Sequence, residues 1–165
     1  MITRIAKILL LASIALFYSL VVLNNTTDFN SNYQFVRHVL MMDSTFPGNN
    51  GMWRAMNAPF WHLTFYFSII CWEIVTMILG WWGAIVLLRT LRKPAAEFNE
   101  AKRIPLIAMT LGMLMWLVAF LTVGAEWFLM WQSHTWNGQE AAFRMFVVLG
   151  VVTLILLQPE REEQP

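Results

Sequence analysis

Four long apolar stretches divide the chain and predict four membrane-spanning helices. These stretches cover residues 5–23, 61–88, 105–132 and 141–157. A helix needs roughly 20 predominantly apolar residues to cross the hydrocarbon core of a bilayer. Between the stretches lie a long polar loop over residues 24–60 and a short polar link over residues 89–104. We therefore expect an all-α membrane protein in which residues 1–165 form a single four-helix bundle.

The long loop has a pattern of its own. Its segment YQFVRHVLMM places Phe35, Val39 and Met42 at helical spacing, which predicts a short amphipathic helix. The pairs Pro47-Gly48 and Asn50-Gly51 that follow are turn formers. The loop is therefore expected to fold back before the second span begins.

The composition supports a membrane protein. Apolar residues make up 58% of the chain and charged residues 13%, whereas a soluble domain has about 45–50% and about 25%. Little chain remains outside the four stretches, so a separate catalytic domain is not expected. The single cysteine, Cys71, lies in the second span and leaves no partner for an intramolecular disulfide.

The basic residues predict the orientation. Eight of the eleven lie on one side of the expected membrane, namely Arg4, Lys7, Arg89, Arg92, Lys93, Lys102, Arg103 and Arg161. The positive-inside rule makes that side cytoplasmic. Both termini are then cytoplasmic, the long loop is periplasmic, and the first span is a retained signal anchor. The segment PEREEQP, residues 159–165, is expected to be a charged, mobile tail.

Glu73 is an acidic residue deep in the second predicted span. Such residues are rare, face the bundle interior and suggest a role in binding or transport. The alternative is a structural role, in which Glu73 is protonated or paired with one buried polar group. The inner half of the span offers Thr76 as its one further polar residue, so a complete proton path is not visible.

Three charged residues near the outer ends of the spans form a second candidate group. Glu126 and Arg144 flank the short outer loop, and Arg54 lies in the long one. An Arg–carboxylate pair would clamp spans three and four together. The alternative is an anion-binding pocket around Arg54 and Arg144.

Aromatic residues gather at the same ends. Five tryptophans are expected to anchor the protein at the outer interface, namely Trp53, Trp61, Trp127, Trp131 and Trp136. Trp127 and Trp131 are four residues apart, which places them on one helix face. A lipid or quinone headgroup site is the alternative interpretation.

Metal, cofactor and nucleic-acid sites are not predicted. His38, His62 and His134 map to the outer side with several methionines, and such ligands suit copper or haem. However, no two histidines have the spacing of a metal motif. A redox subunit that holds haem or copper at these histidines is therefore only the third hypothesis for the function.

Two outer blocks resemble a known family. They are NNTTDFNSNYQFVRHVLMMDSTFP and GAEWFLMWQSHTWNGQEAAFR. The family's Asn-Asn-x-x-Asp motif matches Asn24, Asn25 and Asp28. Its His-Val-Leu-x-Met-Asp motif matches His38 to Leu40, Met42 and Asp43. Its Glu-Trp-Phe-x-Met-Trp-Gln-Ser motif matches Glu126 to Ser133, with Leu129 at the variable position. On these motifs the chain is similar to bacterial predicted small integral membrane proteins, domain of unknown function family 2165. The resemblance implies four spans in a bacterial inner membrane and brings no catalytic residue. The topology also looks claudin-like, without the paired loop cysteines of claudins.

These features predict a non-enzymatic protein. The first hypothesis is an accessory or assembly subunit of a larger inner-membrane complex, with membrane lipids and other membrane subunits as partners. The second is a small transport or lipid/quinone-binding protein that uses Glu73 with Arg54, Glu126 and Arg144. A polar cavity reaching Glu73 would favour the second, and a tightly packed interior would favour the first.

Overall fold

The computed structural model describes residues 1–161, in which every regular element is helical. The α-helices are α1 (Ile2–Thr27), α2 (Phe29–Met41), α3 (Pro59–Arg89), α4 (Ala95–Glu100), α5 (Arg103–Leu114) and α6 (Gln139–Leu157). Within residues 1–161, four helical segments are long and apolar enough to cross a membrane: α1, α3, the segment from α4 to Trp127, and α6. The prediction of four spans is confirmed.

The first span is longer than predicted. It continues four residues past position 23 to Thr27, because Asn24 and Asn25 remain helical. Asp28 then separates α1 from α2: its N–H donates to Asn24 O at 2.9 Å, and its carboxylate accepts from Ser31 Oγ at 2.9 Å. The amphipathic helix predicted in the long loop is confirmed as α2, which runs directly on from this bend.

The third span ends earlier than predicted. After α5, residues Met115–Trp127 form a π-helical stretch, called here the π segment. Bonds between residues five apart mark it, such as Phe128 N to Val123 O at 3.0 Å. Leu129 then takes a left-handed conformation with φ 54°, and a 3₁₀ turn follows at Met130–Gln132. The expectation that Trp127 and Trp131 share one helix face is therefore wrong.

The spans form a closed ring in which α1 packs on α3, α3 on α5, α5 on α6, and α6 on α1. Small residues permit the close contacts between them. A Cβ on Gly83 would lie 3.0 Å from three atoms of the Pro105 ring, and one on Gly112 would lie 2.8 Å from Tyr18 Oη. The π segment packs mainly on α6 and much less on α3. Spans two and three therefore separate toward one end of the bundle.

That end carries most of the chain outside the spans. Residues 28–58 and 128–138 fold over it and are called here the cap. The opposite end carries Arg4, Lys7, α4 and Glu160, which are joined by hydrogen bonds and ion pairs, and it is called the basic end.

Candidate functional site

The buried carboxyl group of Glu73 is bound by a side chain from the neighbouring span. Asn25 Nδ2 donates to Glu73 Oε2 at 2.6 Å, and both residues are buried. Tyr66 Oη donates to the backbone carbonyl of Asn25 at 2.9 Å. Thr76, the next polar residue inward, donates to Trp72 O of its own helix at 2.9 Å. The arrangement ties α1 to α3 beside the cap.

Arg54 binds the end of the third span. Its Nη1 donates to Trp127 O at 2.9 Å and to Glu126 O at 3.3 Å. The guanidinium carbon lies 5.6 Å from the Trp53 ring centroid and 5.5 Å from that of Trp127. These two rings meet edge to face, with centroids 5.7 Å apart. Arg54, Trp53 and Trp127 are called here the Trp–Arg–Trp stack.

The predicted ion pair between Glu126 and Arg144 does not form. Both side chains are exposed, and within residues 1–161 neither belongs to an ion pair. Arg54 instead binds the carbonyl oxygens of Glu126 and Trp127. The physical reason is that the last carbonyls of a helical segment lack partners within the helix and carry partial negative charge.

The five predicted tryptophan anchors fall into two groups. Trp53, Trp61, Trp127 and Trp131 are exposed, and Trp53 retains 75% of its accessible surface. Trp136 is half-buried and stacks on His38 with a centroid distance of 4.7 Å and an angle of 6° between the rings. It therefore packs within the cap, whereas the other four present their rings outward.

The three histidines occupy different environments. His38 Nδ1 lies 2.7 Å from Asp43 Oδ2. His62 is buried, and its Nε2 lies 2.7 Å from Met56 O. His134 is exposed. Across residues 1–161, no group of three or more His, Cys, Asp or Glu side chains is placed to hold a metal ion.

The cap is assembled by contacts between the two loops that cross this end. Gln132 Oε1 accepts from Phe46 N at 3.1 Å and from Asn49 Nδ2 at 3.4 Å. Ser44 Oγ donates to Ser133 Oγ at 2.8 Å. Beneath these bonds lies a small buried cluster of Leu40, Met42 and Phe128. The two sequence blocks that carry the family motifs therefore bind each other.

The basic end contains a polar cluster that the sequence did not reveal. Lys7 Nζ binds Glu160 Oε1 at 2.5 Å and Gln158 O at 2.6 Å. Lys102 Nζ also reaches Gln158 O, at 2.7 Å, and Asn99 Nδ2 donates to Glu160 O at 3.0 Å. The expectation of a mobile tail is therefore wrong at Glu160, and residues 162–165 lie outside the described part.

The surroundings of Glu160 favour its ionised form. Burial of its carboxyl group opposes the charged form, whereas the hydrogen bond and the charge of Lys7 favour it. Together with Thr3 and Lys102, they hold the pKa of Glu160 below its ordinary value. The cluster thus fixes the end of α6 to the start of α1.

An apolar cavity of about 300 Å³ lies between α2, α3 and the π segment. Its lining does not include Glu73. Sequence reasoning missed it because its residues are ordinary apolar ones from three separate elements. No periodicity within a single helix marks such a site.

The fold and these contacts define an integral membrane protein with four helical spans. The chain belongs to the family described as predicted small integral membrane protein (DUF2165), whose model matches residues 3–159. Comparison with curated proteins and with solved structures finds no match. The claudin-like arrangement and the sidedness of the membrane remain predictions.

Proposed function

We propose that this protein is a non-enzymatic accessory or assembly subunit of a bacterial inner-membrane complex, and that its cap binds another membrane protein. The observation that carries the proposal is the Trp–Arg–Trp stack. It places two exposed indole rings around a guanidinium that is already bound to the backbone.

The composition of the stack suits a protein interface. Tryptophan and arginine are the residue types most enriched among those that dominate binding energies. Trp53 projects from the 3₁₀ turn Met52–Arg54 and makes its ring contact with Trp127. Because these side chains are already ordered, a partner that binds them incurs a smaller entropy cost.

The expected partner is another integral membrane protein. The cap stands directly on the spans, so another protein of the same membrane can reach it from the side. The ring faces and edges of Trp53 and Trp127 favour apolar and aromatic side chains on that partner. By the positive-inside rule the contact lies on the periplasmic side.

The second hypothesis, transport or quinone binding by Glu73 with Arg54, Glu126 and Arg144, receives less support. In the described residues the Glu73 carboxyl group is bound by Asn25, and Arg54 binds backbone carbonyls. The four charged side chains do not form one site.

Native purification tests the proposed function. The wild-type protein and the variant Trp53→Ala are purified from their own membranes in mild detergent and analysed by mass spectrometry. The variant Trp82→Ala is the control, because Trp82 is 53% exposed but lies on α3 away from the cap. We expect one stoichiometric membrane protein with the wild type and with the control, and its loss with Trp53→Ala. A wild-type protein that purifies alone would contradict the proposal.

A further inference from the structure

The apolar cavity has walls from three elements. On α3, Phe65, Ile69 and Trp72 line it at spacings of three and four residues, which places them on one helix face. On α2, Val36 and Val39 close it toward the cap. The π segment forms the wall opposite α3. The cavity is thus bounded by three helical elements, of which α2 packs on α3 and the π segment packs on α6.

Its origin lies in the path of the third span. This span packs on α3 through α5, but the π segment that continues it packs on α6. The two spans therefore separate next to the cap. The π wall also carries small residues, Ala119 and Gly124, which leave the space between the spans open. The gap therefore lies where the backbones of the two spans diverge.

The polar groups in the lining are already engaged. Thr64 Oγ1 donates to Phe60 O at 2.8 Å, and Ser68 Oγ donates to Thr64 O at 2.7 Å. Trp72 Nε1 donates to Leu111 O at 3.1 Å. A ligand in the cavity therefore meets methyl, methylene and aromatic groups, which suit hydrocarbon and do not suit a hydrophilic substrate.

The mouth of the cavity opens between two spans. Thr64 and Ser68 on α3 and Val118 on the π segment are exposed, whereas Phe128 and Met130 at the inner side are buried. Because both spans are long enough to cross the membrane, this mouth faces the hydrocarbon of the bilayer. The molecule that reaches it from the side is therefore a membrane lipid.

We propose that this cavity binds one acyl chain of a membrane phospholipid, which enters between α3 and the π segment. Its volume is about twice the ~150 Å³ of an apolar cavity that holds benzene, so it accommodates a chain segment several carbons long. The acyl chain is already in an apolar medium, so affinity comes from close packing against the walls and not from the hydrophobic effect. This site is separate from the exposed stack to which the partner is assigned.

Photolabelling of the full-length protein tests the proposal. The protein is reconstituted in phosphatidylcholine vesicles with a trace of phospholipid that carries a diazirine on one acyl chain. After illumination the labelled residues are mapped by mass spectrometry. We expect label concentrated on the cavity walls, for example at Val39, Ile69 and Ala119, at a higher level than on the exposed faces of α1 and α6.

Two pairs of variants give the measurement its controls. Ser68→Phe fills the mouth, while Ser13→Phe changes an exposed serine of α1 that likewise bonds to the carbonyl four residues earlier. Val118→Phe narrows the opposite side, while Val147→Phe changes a valine of similar exposure on α6. We expect wall labelling to fall about tenfold in the first of each pair and to stay unchanged in the second. If Ser68→Phe does not fold, Val118→Phe supplies the same comparison.

Two results would overturn the proposal. Label spread evenly over all exposed helix faces and unaffected by Ser68→Phe or Val118→Phe would mean ordinary bulk lipid contact. Loss of the wall labelling when an isoprenoid quinone is added to the vesicles at a small mole fraction would assign the cavity to a different ligand. Neither result depends on whether Trp53 binds a partner, so the lipid proposal and the partner proposal can be overturned independently of each other.

Discussion

Asn25 donates a 2.6 Å hydrogen bond to Glu73, and this bond joins the first span to the second where both side chains are buried. Asn25 belongs to the Asn-Asn motif at the end of α1, and its own carbonyl accepts from Tyr66. A buried polar group without a hydrogen-bond partner costs free energy, so each of these two side chains can be buried because the other binds it. The pair also fixes the register of α1 against α3.

The Asn25–Glu73 pair predicts non-additive effects on stability. Asn25→Ala leaves the Glu73 carboxyl group without its donor, so we expect the free energy of unfolding to fall by about 1–3 kcal/mol. The double variant Asn25→Leu with Glu73→Met removes both polar groups and should lose less than Asn25→Ala alone. Thermal unfolding in one detergent measures both. A double variant that loses more than Asn25→Ala would show that the two side chains do not stabilise each other.

The contact between Gly112 and Tyr18 predicts a packing defect. A Cβ at position 112 would lie 2.8 Å from Tyr18 Oη, which Trp116 holds by a 3.1 Å hydrogen bond. We therefore expect Gly112→Ala to destabilise the bundle by about 1–3 kcal/mol. Gly150→Ala is the matched control, because the nearest atom to its Cβ would be Met113 Cε at 3.9 Å. A similar unfolding midpoint for both variants would be evidence against this contact.

Arg54 is expected to hold the cap against the third span. Arg54→Lys keeps the charge but loses the planar group that lies near two tryptophan rings and binds two carbonyls. We expect faster amide hydrogen exchange over residues 126–133 and an unchanged rate in α1. Arg144→Lys serves as the control, since Arg144 is exposed. Unchanged exchange in Arg54→Lys would show that the stack does not order the cap.

Glu160 predicts a dependence of stability on pH. Its pKa in the folded protein is lower than in the unfolded chain, so its ionised form stabilises the fold above the unfolded pKa. That contribution is lost progressively as the pH falls from about 4.3, the ordinary pKa of glutamate, to the lower pKa of Glu160 in the folded protein. We expect Glu160→Gln to remove this part of the acid sensitivity.

Glu100→Gln provides the comparison for the acid titration. Glu100 pairs with Arg103 on the exposed surface, at 3.0 Å, and such pairs contribute little. The stability of Glu100→Gln should therefore depend on pH as that of the wild type does. If Glu160→Gln showed the wild-type profile as well, Glu160 would not be the group that responds to acid.

The spans could be predicted from the sequence because each is a continuous apolar run. Their ends could not, because local backbone geometry decides them. Asn24 and Asn25 look like loop residues, yet they continue α1 since one of them has a buried partner on α3. The third span stops at Trp127, where the left-handed Leu129 follows, although the apolar pattern continues beyond it.

Only part of the candidate site could be predicted from the sequence, because most of its contacts depend on the folded backbone. Glu73 stands out because a charge is rare in an apolar run, and burial was expected. The partners of Arg54 were not predictable, since backbone carbonyls leave no trace in the sequence. The cluster around Glu160 joins residues more than 150 positions apart, such as Lys7, and only the folded chain brings them together.

Site-specific photo-crosslinking at position 53 shows whether the cap binds another membrane protein. A benzoylphenylalanine replaces Trp53 in one sample and Trp82 in the other, and the cells are illuminated before the membranes are solubilised. We predict one discrete adduct with a second membrane protein from position 53, and adducts with lipid alone from position 82. Lipid adducts alone from both positions would contradict the proposed protein partner, because the exposed stack would then be a membrane anchor.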